Sequence, residues 1–518
     1  MFGCFLATKQ VKNKDYPLVL GKFAALIRAA NFFMSLMDPK YEVVIGLEVH
    51  AQLLTESKLF CGDSTRFGSE PNSHVSPITL GHPGTLPKMN AKAIEHAIRM
   101  GLVCHCDIQR FNYFARKNYF YPDLPKGYQV SQHTTPICSG GFVKVMADGK
   151  EKVIRLTRIH LEEDAGKSIH DMDDHFTCLD YNRAGTPLIE IVTEPDIRSA
   201  DEAFAFLTEI RKLVRWIGVC DGNMEEGSLR CDANISIRLH GDDKLGTRVE
   251  VKNLNSVRNV KKAIEVEVKR LIGLVEKGEI IRQETRSFNA DNDSTFSIRT
   301  KEDADDYRYF PEPDLTPFQF TETFIEEIRH ALPMLPEVLK DKFITEFGLT
   351  VYDASVLCED KFLANYFQEC LAGGIAPKAL ANWLLGPVKS ILNESAKEWD
   401  TVKLSADTWF RLQQLADEGK LSFSVAAHKL LPLLLDGKEK DPAELAAKNN
   451  LLQDAGADDI QQWVAEVLAS MPDKVQEYRK GKKGLIGLFM GEVKKKSKGK
   501  ADPKRTNDVL QEQLNKIL

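Results

Sequence analysis

Residues 43–53 read Val-Val-Ile-Gly-Leu-Glu-Val-His-Ala-Gln-Leu, and the alternation in this stretch indicates the fold. Apolar residues take every odd position, whereas Gly46, Glu48, His50 and Gln52 take the even positions from 46 onward. Because successive side chains of a strand point to opposite faces, the pattern predicts a strand with one buried face and one polar face. A Glu and a His two residues apart can share a metal ion or transfer a proton, which indicates a chemical role for the polar face.

Three further segments alternate in the same way, at 158–164, 229–239 and 248–256. Their polar faces carry Arg158, His160, Glu162, Asp164, Arg230, Asp232, Asn234, Ser236, Arg238, Glu250 and Lys252. For any one strand, the simpler reading is an antiparallel sheet with one wet face. The four strands together favour a face that holds a hydrated divalent cation and a polyphosphate. Mg²⁺ prefers carboxylates with water and phosphate oxygens, while Arg and Lys bind phosphates.

The length and charge of the chain exclude some classes of protein. A chain of 518 residues, 43% hydrophobic and 28% charged, indicates several globular domains. The formal net charge of −6 argues against a uniformly basic nucleic-acid-binding surface. Between Asp473 and Arg505, however, twelve Lys and Arg accompany four Asp and Glu, a local charge of +8 that leaves −14 for the remainder. This asymmetry favours a nucleic-acid-binding tail on an acidic body, although a terminal Lys run is often only a solvated end.

The cysteines and apolar runs indicate a compartment. Ten cysteines without a disulfide-like spacing fit a reducing cytosol better than secretion. Since no apolar run approaches the ~20 residues of a membrane helix, we expect a cytoplasmic protein with no membrane span. Residues 1–40 are expected to be an N-terminal extension, disordered or upstream of a true start at Met34 or Met37. A transit peptide is the alternative, because Asp15 is the only acidic residue before Asp38.

Along the chain, strand patterns give way to helical ones. Helical stretches such as 90–103 and 200–217 interrupt the strands, and from about 320 apolar residues keep helical spacing. We therefore predict an α+β fold with a mainly antiparallel sheet domain, an all-α helical domain and a small all-α tail domain. The predicted bounds are 1–40 for the extension, 41–330 for the sheet domain, 331–445 for the helical domain and 446–518 for the tail. In Asp441-Pro-Ala-Glu444, the capping residues and the Pro predict a helix start.

Several long stretches carry a resemblance to a known family. They are IGLEVHAQL (45–53), RKNYFYPDLPKGYQ (116–129), HLEEDAGKS (160–168), NRAGTPLIEIVTEPD (182–196), MEEGSLRCDANIS (224–236), VEVKNLNS (249–256) and DYRYFPEPDL (306–315). On these stretches, nearly all of 41–518 resembles the B subunit of the bacterial and organellar aspartyl/glutamyl-tRNA amidotransferase. The chain lacks Walker A, GxGxxG and GxSxG motifs, so neither a common ATP site nor a serine hydrolase is indicated.

The resemblance implies an ATP-dependent ligase that acts on tRNA, with a sheet-based cradle as its catalytic domain. Such enzymes convert misacylated Glu-tRNA(Gln), Asp-tRNA(Asn) or both into Gln-tRNA(Gln) and Asn-tRNA(Asn). The B subunit phosphorylates the tRNA-borne side-chain carboxylate with ATP and Mg²⁺, and ammonia then displaces the phosphate. The implied partners are the amidase (glutaminase) component, or A subunit, which makes ammonia from glutamine, and a small C subunit, in a heterotrimer that binds misacylated tRNA.

The resemblance also implies roles for particular residues. The candidate metal ligands are Glu48, His50, Glu162 and Glu163, the candidate phosphate- or carboxylate-binding lysines are Lys117 and Lys126, and weaker candidates for metal and nucleotide contacts are Glu226, Arg230, Asp232 and Lys252. The tail residues Lys494, Lys495, Lys498 and Lys500 are expected to contact tRNA phosphates. Because neighbours alternate in a strand, Glu162 and Glu163 can reach one site only through a bulge or turn, which we expect there.

One departure from the family concerns zinc. Some members hold zinc with a CxC and a CxxC pair, but here Cys61 is followed by Asp63, and the later positions are Ser76 and Thr79. One thiolate cannot hold structural zinc, so we predict none, with the loop held by packing alone. Two other functions stay open from sequence. One is a non-catalytic tRNA-binding scaffold component of the same kind of complex, and the other is a stand-alone ATP-grasp-like ligase.

Overall fold

The computed structural model describes residues 40–300, 307–437, 441–452, 457–497, 501 and 503–516. The chain divides into two compact units, Met1–Pro333 and Met334–Leu518. A mainly antiparallel sheet dominates the first unit and helices form the second, which confirms the predicted α+β class. Of the predicted extension at 1–40, residues 1–39 lie outside the described residues.

The described part of the first unit has seventeen strands, and thirteen of them form one sheet. The strands are β1 (Tyr41–Gln52), β2 (Asp107–Ile108), β3 (Phe111–Asn112), β4 (Ala115–Asn118), β5 (Tyr128–Ser131), β6 (Cys138–Ser139), β7 (Phe142–Ala147), β8 (Lys150–Glu163), β9 (Lys167–Ile169), β10 (Cys178–Asp180), β11 (Pro187–Thr193), β12 (Leu229–Leu239), β13 (Val249–Lys252), β14 (Glu284–Asn289), β15 (Ser294–Thr300), β16 (Phe310–Pro311) and β17 (Phe318–Gln319). The main path runs β15-β14-β13-β12-β1-β11-β8-β5-β4-β16, while β9 pairs with β10 and β3 with β17. The β13–β14 pair is parallel, and the other pairs on this path are antiparallel.

Strand β1 lies near the middle of this sheet, as its alternation predicts. Its apolar side chains Ile45, Leu47, Val49 and Ala51 are completely buried. The helices of the first unit are α1 (Ala91–Val103), α2 (Ala200–Trp216), α3 (Val257–Glu276) and α4 (Glu322–His330). The first three pack over the sheet, and α4 packs against α1. Helices α2 and α3 pack against each other, α2 also against β1 and α3 against β12. Burying one face in this way leaves the other face of the strands for polar side chains.

The segment predicted as a strand over 248–256 ends earlier. Strand β13 stops at Lys252, and Asn253 adopts a left-handed backbone with φ of 64°. Ser256 then caps α3, because its hydroxyl accepts a hydrogen bond from the amide of Asn259 at 3.1 Å. Residues 253–256 therefore form the strand-to-helix connection, and the strand prediction for them is wrong.

The second unit is built of helices in every described segment. They are α5 (Pro336–Thr345), α6 (Val351–Leu357), α7 (Lys361–Leu371), α8 (Pro377–Trp383), α9 (Lys389–Ser395), α10 (Ala406–Asp417), α11 (Phe423–Val425), α12 (Leu431–Leu435), α13 (Pro442–Lys448), α14 (Ala457–Ser470), α15 (Pro472–Arg479), α16 (Ile486–Lys496) and α17 (Pro503–Lys516). Asp441 caps α13 as predicted, accepting from the amides of Ala443 and Glu444 at 2.8 and 3.1 Å. Helices α14 to α17 share an apolar core that includes Val464, Phe489 and Leu510.

The predicted division of this unit at residue 446 falls inside α13 and stays a prediction. In the part of the chain that the structure describes, none of the helices has the length and hydrophobicity to span a bilayer.

Candidate active site

The polar faces of five strands open onto one cleft of about 1060 Å³. From β1, β8, β11, β12 and β13 it receives Glu48, His50, Arg158, His160, Glu162, Glu190, Arg230, Asp232, Glu250 and Lys252. The antiparallel register produces this gathering, because it sets Glu48 opposite Asp232 and His50 opposite Glu190. Side chains directly opposite on one face of an antiparallel pair lie about 5 Å apart at Cβ, close enough to share a ligand.

His50, Glu162 and Glu190 form a tight group, named here the histidine–glutamate cluster. His50 Nε2 lies 3.4 Å from Glu190 Oε2 and 3.9 Å from Glu162 Oε1. One ligand atom from each of the three lies within 4.8 Å of the others. His160 stands beside them, with Nε2 3.6 Å from Glu162 Oε2 and 3.5 Å from Glu190 Oε2. One imidazole with two carboxylates is a donor set that suits a divalent cation.

The negative charges of Glu162 and Glu190 favour a positive charge within this cluster. Burial opposes protonation of His50, yet its hydrogen bond to Glu190 and the neighbouring carboxylate charges outweigh it and raise the pKa of the imidazole to about 9. Burial likewise disfavours the charged form of Glu190, but His160 and His50 hold the pKa of its carboxyl well below the usual range. The carboxylates of the cluster thus favour the protonated, positively charged form of the His50 imidazole. A metal ion would supply that positive charge instead, with release of the proton.

A second acidic group, the carboxylate cluster, consists of Glu48, Asp232 and Glu250. Lys252 Nζ lies 2.6 Å from Asp232 Oδ2 and 3.2 Å from Glu250 Oε1. Asn234 donates to Glu48 Oε1 at 2.8 Å, while burial and the charge of Glu190 raise the pKa of Glu48. Lys252 therefore compensates one negative charge of this cluster, through Asp232 and Glu250.

The predicted cations of the cleft differ in how they are compensated. Arg230 forms an ion pair with Asp164, in which its guanidinium nitrogen lies 3.0 Å from Asp164 Oδ2. The Gln52 side-chain amide donates a hydrogen bond to the same oxygen at 2.7 Å. Within the described part of the chain, Lys117 and Arg158 have no carboxylate within 4 Å of their nitrogens. Lys117 Nζ stands 4.9 Å from the ring centre of Tyr307. Of these predicted cations, Lys117 and Arg158 are thus the most available to an anionic ligand, and the exposed Arg248 also lines the cleft.

Glu163 does not join Glu162. The β8–β11 ladder runs without interruption from Glu163 opposite Pro187 to Arg158 opposite Val192, so the bulge expected at Glu162–Glu163 is absent from it. Glu163 consequently points to the opposite face, where its Oε2 lies 2.6 Å from Lys126 Nζ and its Oε1 accepts from the Val130 amide. Burial raises the pKa of Glu163 against both of these partners.

Lys126 accordingly lies outside the cleft. Its side chain lines a separate cavity of about 220 Å³ together with Phe60, Arg116 and Tyr128. The expectation that Glu163 converges with Glu162 on one metal site is wrong. The reason is that unbroken pleating separates adjacent residues onto two faces.

The remaining predicted residues lie elsewhere. Glu226 is exposed in the loop between α2 and β12, away from the residues that line the cleft. Lys494 and Lys495 are exposed in the last turn of α16. Lys498 and Lys500 lie outside the described residues.

Glu190 is the cluster residue that the sequence reasoning missed. It sits in Pro187-Leu-Ile-Glu-Ile-Val-Thr193, a run whose apolar content predicts burial on both faces. The strand periodicity of two would have identified it. That periodicity places Glu190 on the same face as Leu188 and Val192, and Ile189 and Ile191 are buried on the opposite face. A lone carboxylate on the polar face of a central strand is costly to bury without a partner.

The loop in which zinc was considered is held by hydrogen bonds. Asp63 Oδ2 accepts from the Thr79 hydroxyl at 2.5 Å, from the Ser76 amide at 2.8 Å and from the Cys61 thiol at 3.4 Å. These bonds lower the pKa of Asp63 although burial opposes them. The expectation that packing alone holds the loop is therefore wrong, and the absence of zinc stays a prediction.

Comparison with known proteins shows the family of this chain. The GatB/GatE catalytic domain matches residues 43–326, and the GatB domain matches residues 365–514. The aspartyl/glutamyl-tRNA(Asn/Gln) amidotransferase B subunit of Thermoanaerobacter sp. (strain X514) is 48% identical over 477 residues, which is 92% of this chain and 100% of the relative. The protein of the same name from Geotalea uraniireducens is 49% identical over 481 residues, with the same coverage of both chains. The chain belongs to the family of aspartyl/glutamyl-tRNA(Asn/Gln) amidotransferase B subunits.

Proposed function

We propose that this chain activates the side-chain carboxylate of Glu-tRNA(Gln), Asp-tRNA(Asn) or both by ATP-dependent phosphorylation, and that ammonia then replaces the phosphate. Family membership supports the substrate class, because the relatives are named for these tRNAs. The observation that carries the chemistry is that the histidine–glutamate cluster, Lys117 and Arg158 all line a single cleft.

The reaction explains why such a cleft is needed. A carboxylate resists attack by ammonia because its charge is delocalised and it has no good leaving group. Transfer of the γ-phosphoryl group from ATP to a carboxylate oxygen releases ADP and makes phosphate the leaving group. Ammonia then attacks the carbonyl carbon, phosphate departs and a proton is lost, which leaves the amide. Phosphoryl transfer depends on alignment and charge stabilisation more than on covalent help from the protein.

The chain's own residues suit these demands. His50, Glu162 and Glu190 would hold Mg²⁺, which when bound supplies positive charge to the transferring phosphoryl group. Lys117 and Arg158 bind the phosphates, since neither has a carboxylate within ion-pair distance among the described residues. Asn234 and Lys252 hold Glu48 and Asp232 in place beside the cluster.

The partners belong to the same proposal. The relatives are named as B subunits, which implies further subunits. We assign this chain to a heterotrimer with a glutaminase (the A subunit) and a small C subunit. The glutaminase supplies the ammonia, and misacylated tRNA is the shared substrate.

The test is an amidation assay with co-expressed candidate A and C subunits, using Glu-tRNA(Gln) and Asp-tRNA(Asn) separately. Glu162→Gln and Glu190→Gln should abolish tRNA-dependent ADP formation and amide formation, with either glutamine or ammonium chloride as nitrogen donor. Binding of tRNA and glutaminase activity should persist. Glu279→Gln, an exposed carboxylate outside the cleft, is the matched control.

Two outcomes would point to the alternatives. If amidation survives in both cluster variants, the chemistry lies elsewhere in the complex and this chain is a tRNA-binding scaffold. If the chain alone forms amide from ammonium chloride at the rate of the full complex, it is a stand-alone ligase.

A further inference from the structure

One wall of the cleft is aromatic. Tyr119, Tyr121, Tyr307 and Tyr309 all line the cleft and are named here the aromatic wall. Their ring centres follow one another at 5.8 Å (Tyr121 to Tyr119), 6.1 Å (Tyr119 to Tyr307) and 5.9 Å (Tyr307 to Tyr309). His133 stacks on Tyr309 with centres 4.0 Å apart and planes 9° apart, which fixes that ring.

These rings differ from the aromatic core of the unit. Phe114 and Phe206 are almost completely buried, whereas Tyr121 is 59% exposed and Tyr307 and Tyr309 are half-buried at the cleft surface. A row of partly exposed tyrosines keeps apolar faces in contact with water. That arrangement costs free energy unless a ligand covers them.

Cationic side chains stand beside the same rings. Lys117 Nζ lies 4.9 Å from the centre of Tyr307 and 5.8 Å from that of Tyr119. Arg158 donates to the backbone carbonyl of His133, the residue stacked on Tyr309, at 3.4 Å. Aromatic faces interleaved with cations that make no direct ion pair are the combination by which proteins bind unpaired bases and their phosphates.

We propose that an unpaired adenine base stacks on Tyr307 and Tyr309 of the aromatic wall, and that a phosphate of the same nucleotide contacts Lys117 and Arg158. The inference rests on the proposed function and deepens it, since it places a base next to the phosphoryl-transfer site. This adenine could belong to ATP or to the terminal adenosine of the tRNA. The experiment described next distinguishes these two sources.

The experiment uses the assembled complex and two fluorescent probes. One is 2-aminopurine riboside triphosphate, and the other is tRNA with 2-aminopurine as its 3′-terminal nucleotide. Stacking quenches 2-aminopurine emission, so quenching upon binding of the triphosphate identifies ATP as the source, and quenching of the tRNA probe identifies the terminal adenosine.

Variants tie the signal to the rings. Tyr307→Leu and Tyr309→Leu should weaken binding of the quenched probe roughly 5- to 150-fold and remove the quenching, since stacking contributes about 1–3 kcal/mol per base. Tyr307→Phe and Tyr309→Phe keep the stacking face and should stay within about threefold of the wild type. Phe310→Leu, next in sequence but outside the residues that line the cleft, is the matched control and confirms that the chain folds.

The result that overturns the proposal is bound probe without quenching in both arms, or quenching that survives both leucine variants. This failure is distinguishable from failure of the proposed function. If Glu162→Gln retains ADP formation while the quenching depends on the tyrosines, the phosphorylation proposal falls and the stacking site stands.

Discussion

Glu162 and Glu163 are neighbours in β8, yet their carboxylates serve opposite faces of the sheet. Glu162 lies 3.9 Å from His50 in the cleft, whereas Glu163 is buried 2.6 Å from Lys126 on the other side. One strand thus carries two acidic residues with separate tasks. Because the two carboxylates lie on opposite faces, a variant of one residue serves as the control for a variant of its neighbour.

Binding of a divalent cation should depend on Glu162 and not on Glu163. Glu162→Gln removes one of three ligands from the histidine–glutamate cluster, so we expect at least tenfold weaker binding of Mn²⁺, measured by electron paramagnetic resonance or calorimetry. Glu163→Gln is the control, provided that the variant stays folded under the conditions of the measurement. Equal losses in both variants would place the metal elsewhere.

The free energy of unfolding, in contrast, should depend on the buried pair of Glu163 and Lys126. Lys126→Met leaves the Glu163 carboxylate buried with only the Val130 amide as a partner, and we expect a loss of about 3–5 kcal/mol in the free energy of unfolding. Urea unfolding of the full chain measures it. The double variant Glu163→Leu/Lys126→Met should recover most of the loss, because no unpaired charge remains.

A control for this pair lies on the surface. Lys516 and Glu512 form an ion pair of similar length with side chains 71% and 59% exposed. Lys516→Met should change stability far less, since water already solvates both charges. A comparable loss there would show that burial is not the cause.

Asp63 should stabilise its loop in a pH-dependent way. Asp63→Asn weakens three hydrogen bonds to a carboxylate, and we expect the free energy of local opening to fall by about 1.5–3 kcal/mol, measured by hydrogen–deuterium exchange of residues 58–80. Because the pKa of Asp63 is lowered in the folded chain, its contribution is complete above the ordinary pKa of 3.8 and is lost as the pH falls through the folded value.

The difference between wild type and Asp63→Asn should therefore be constant from pH 5 to 8 and should shrink below pH 4. Asp171→Asn, an exposed carboxylate, is the control and should show no difference. One equivalent of zinc in purified protein would contradict this account of the loop, together with the prediction that zinc is absent.

Two lysines of the tail should differ in their contribution to tRNA binding. Lys494 is exposed at the end of α16, whereas Lys496 is paired with Glu466 at 2.5 Å. If the tail binds tRNA phosphates, Lys494→Ala should weaken binding and reduce the slope of log affinity against log salt by about 1. Lys496→Ala should change that slope less, because its charge is already compensated. Equal slopes for Lys494→Ala and the wild type would exclude a phosphate contact.

Much of the sheet follows from local pattern. The alternation around Glu48 and His50 predicts which side chains face the core, because the period of two is a property of the extended backbone and needs no partner. Helix starts are equally local. Asp441 caps α13 because its carboxylate and the first free amides are covalently close.

The site required more than pattern. Glu190 lies in an apolar run, and its place beside His50 depends on the β1–β11 register. Lys126 and Glu163 pair across one face because β5 and β8 are neighbours, although the two residues are 37 positions apart. Tyr307 and Tyr309 come to the cleft from a segment at the far end of the first unit.

The sequence alone determined the alternating strands around Glu48, His160, Asp232 and Glu250 with their faces, the helical second unit and the family, since these depend on residue type and spacing along one segment. Only the tertiary structure decided which carboxylates share a cation, which cations stay uncompensated and which face Glu163 serves. These depend on how separate strands align, and that alignment is set by hydrogen bonds and burial summed over the whole sheet.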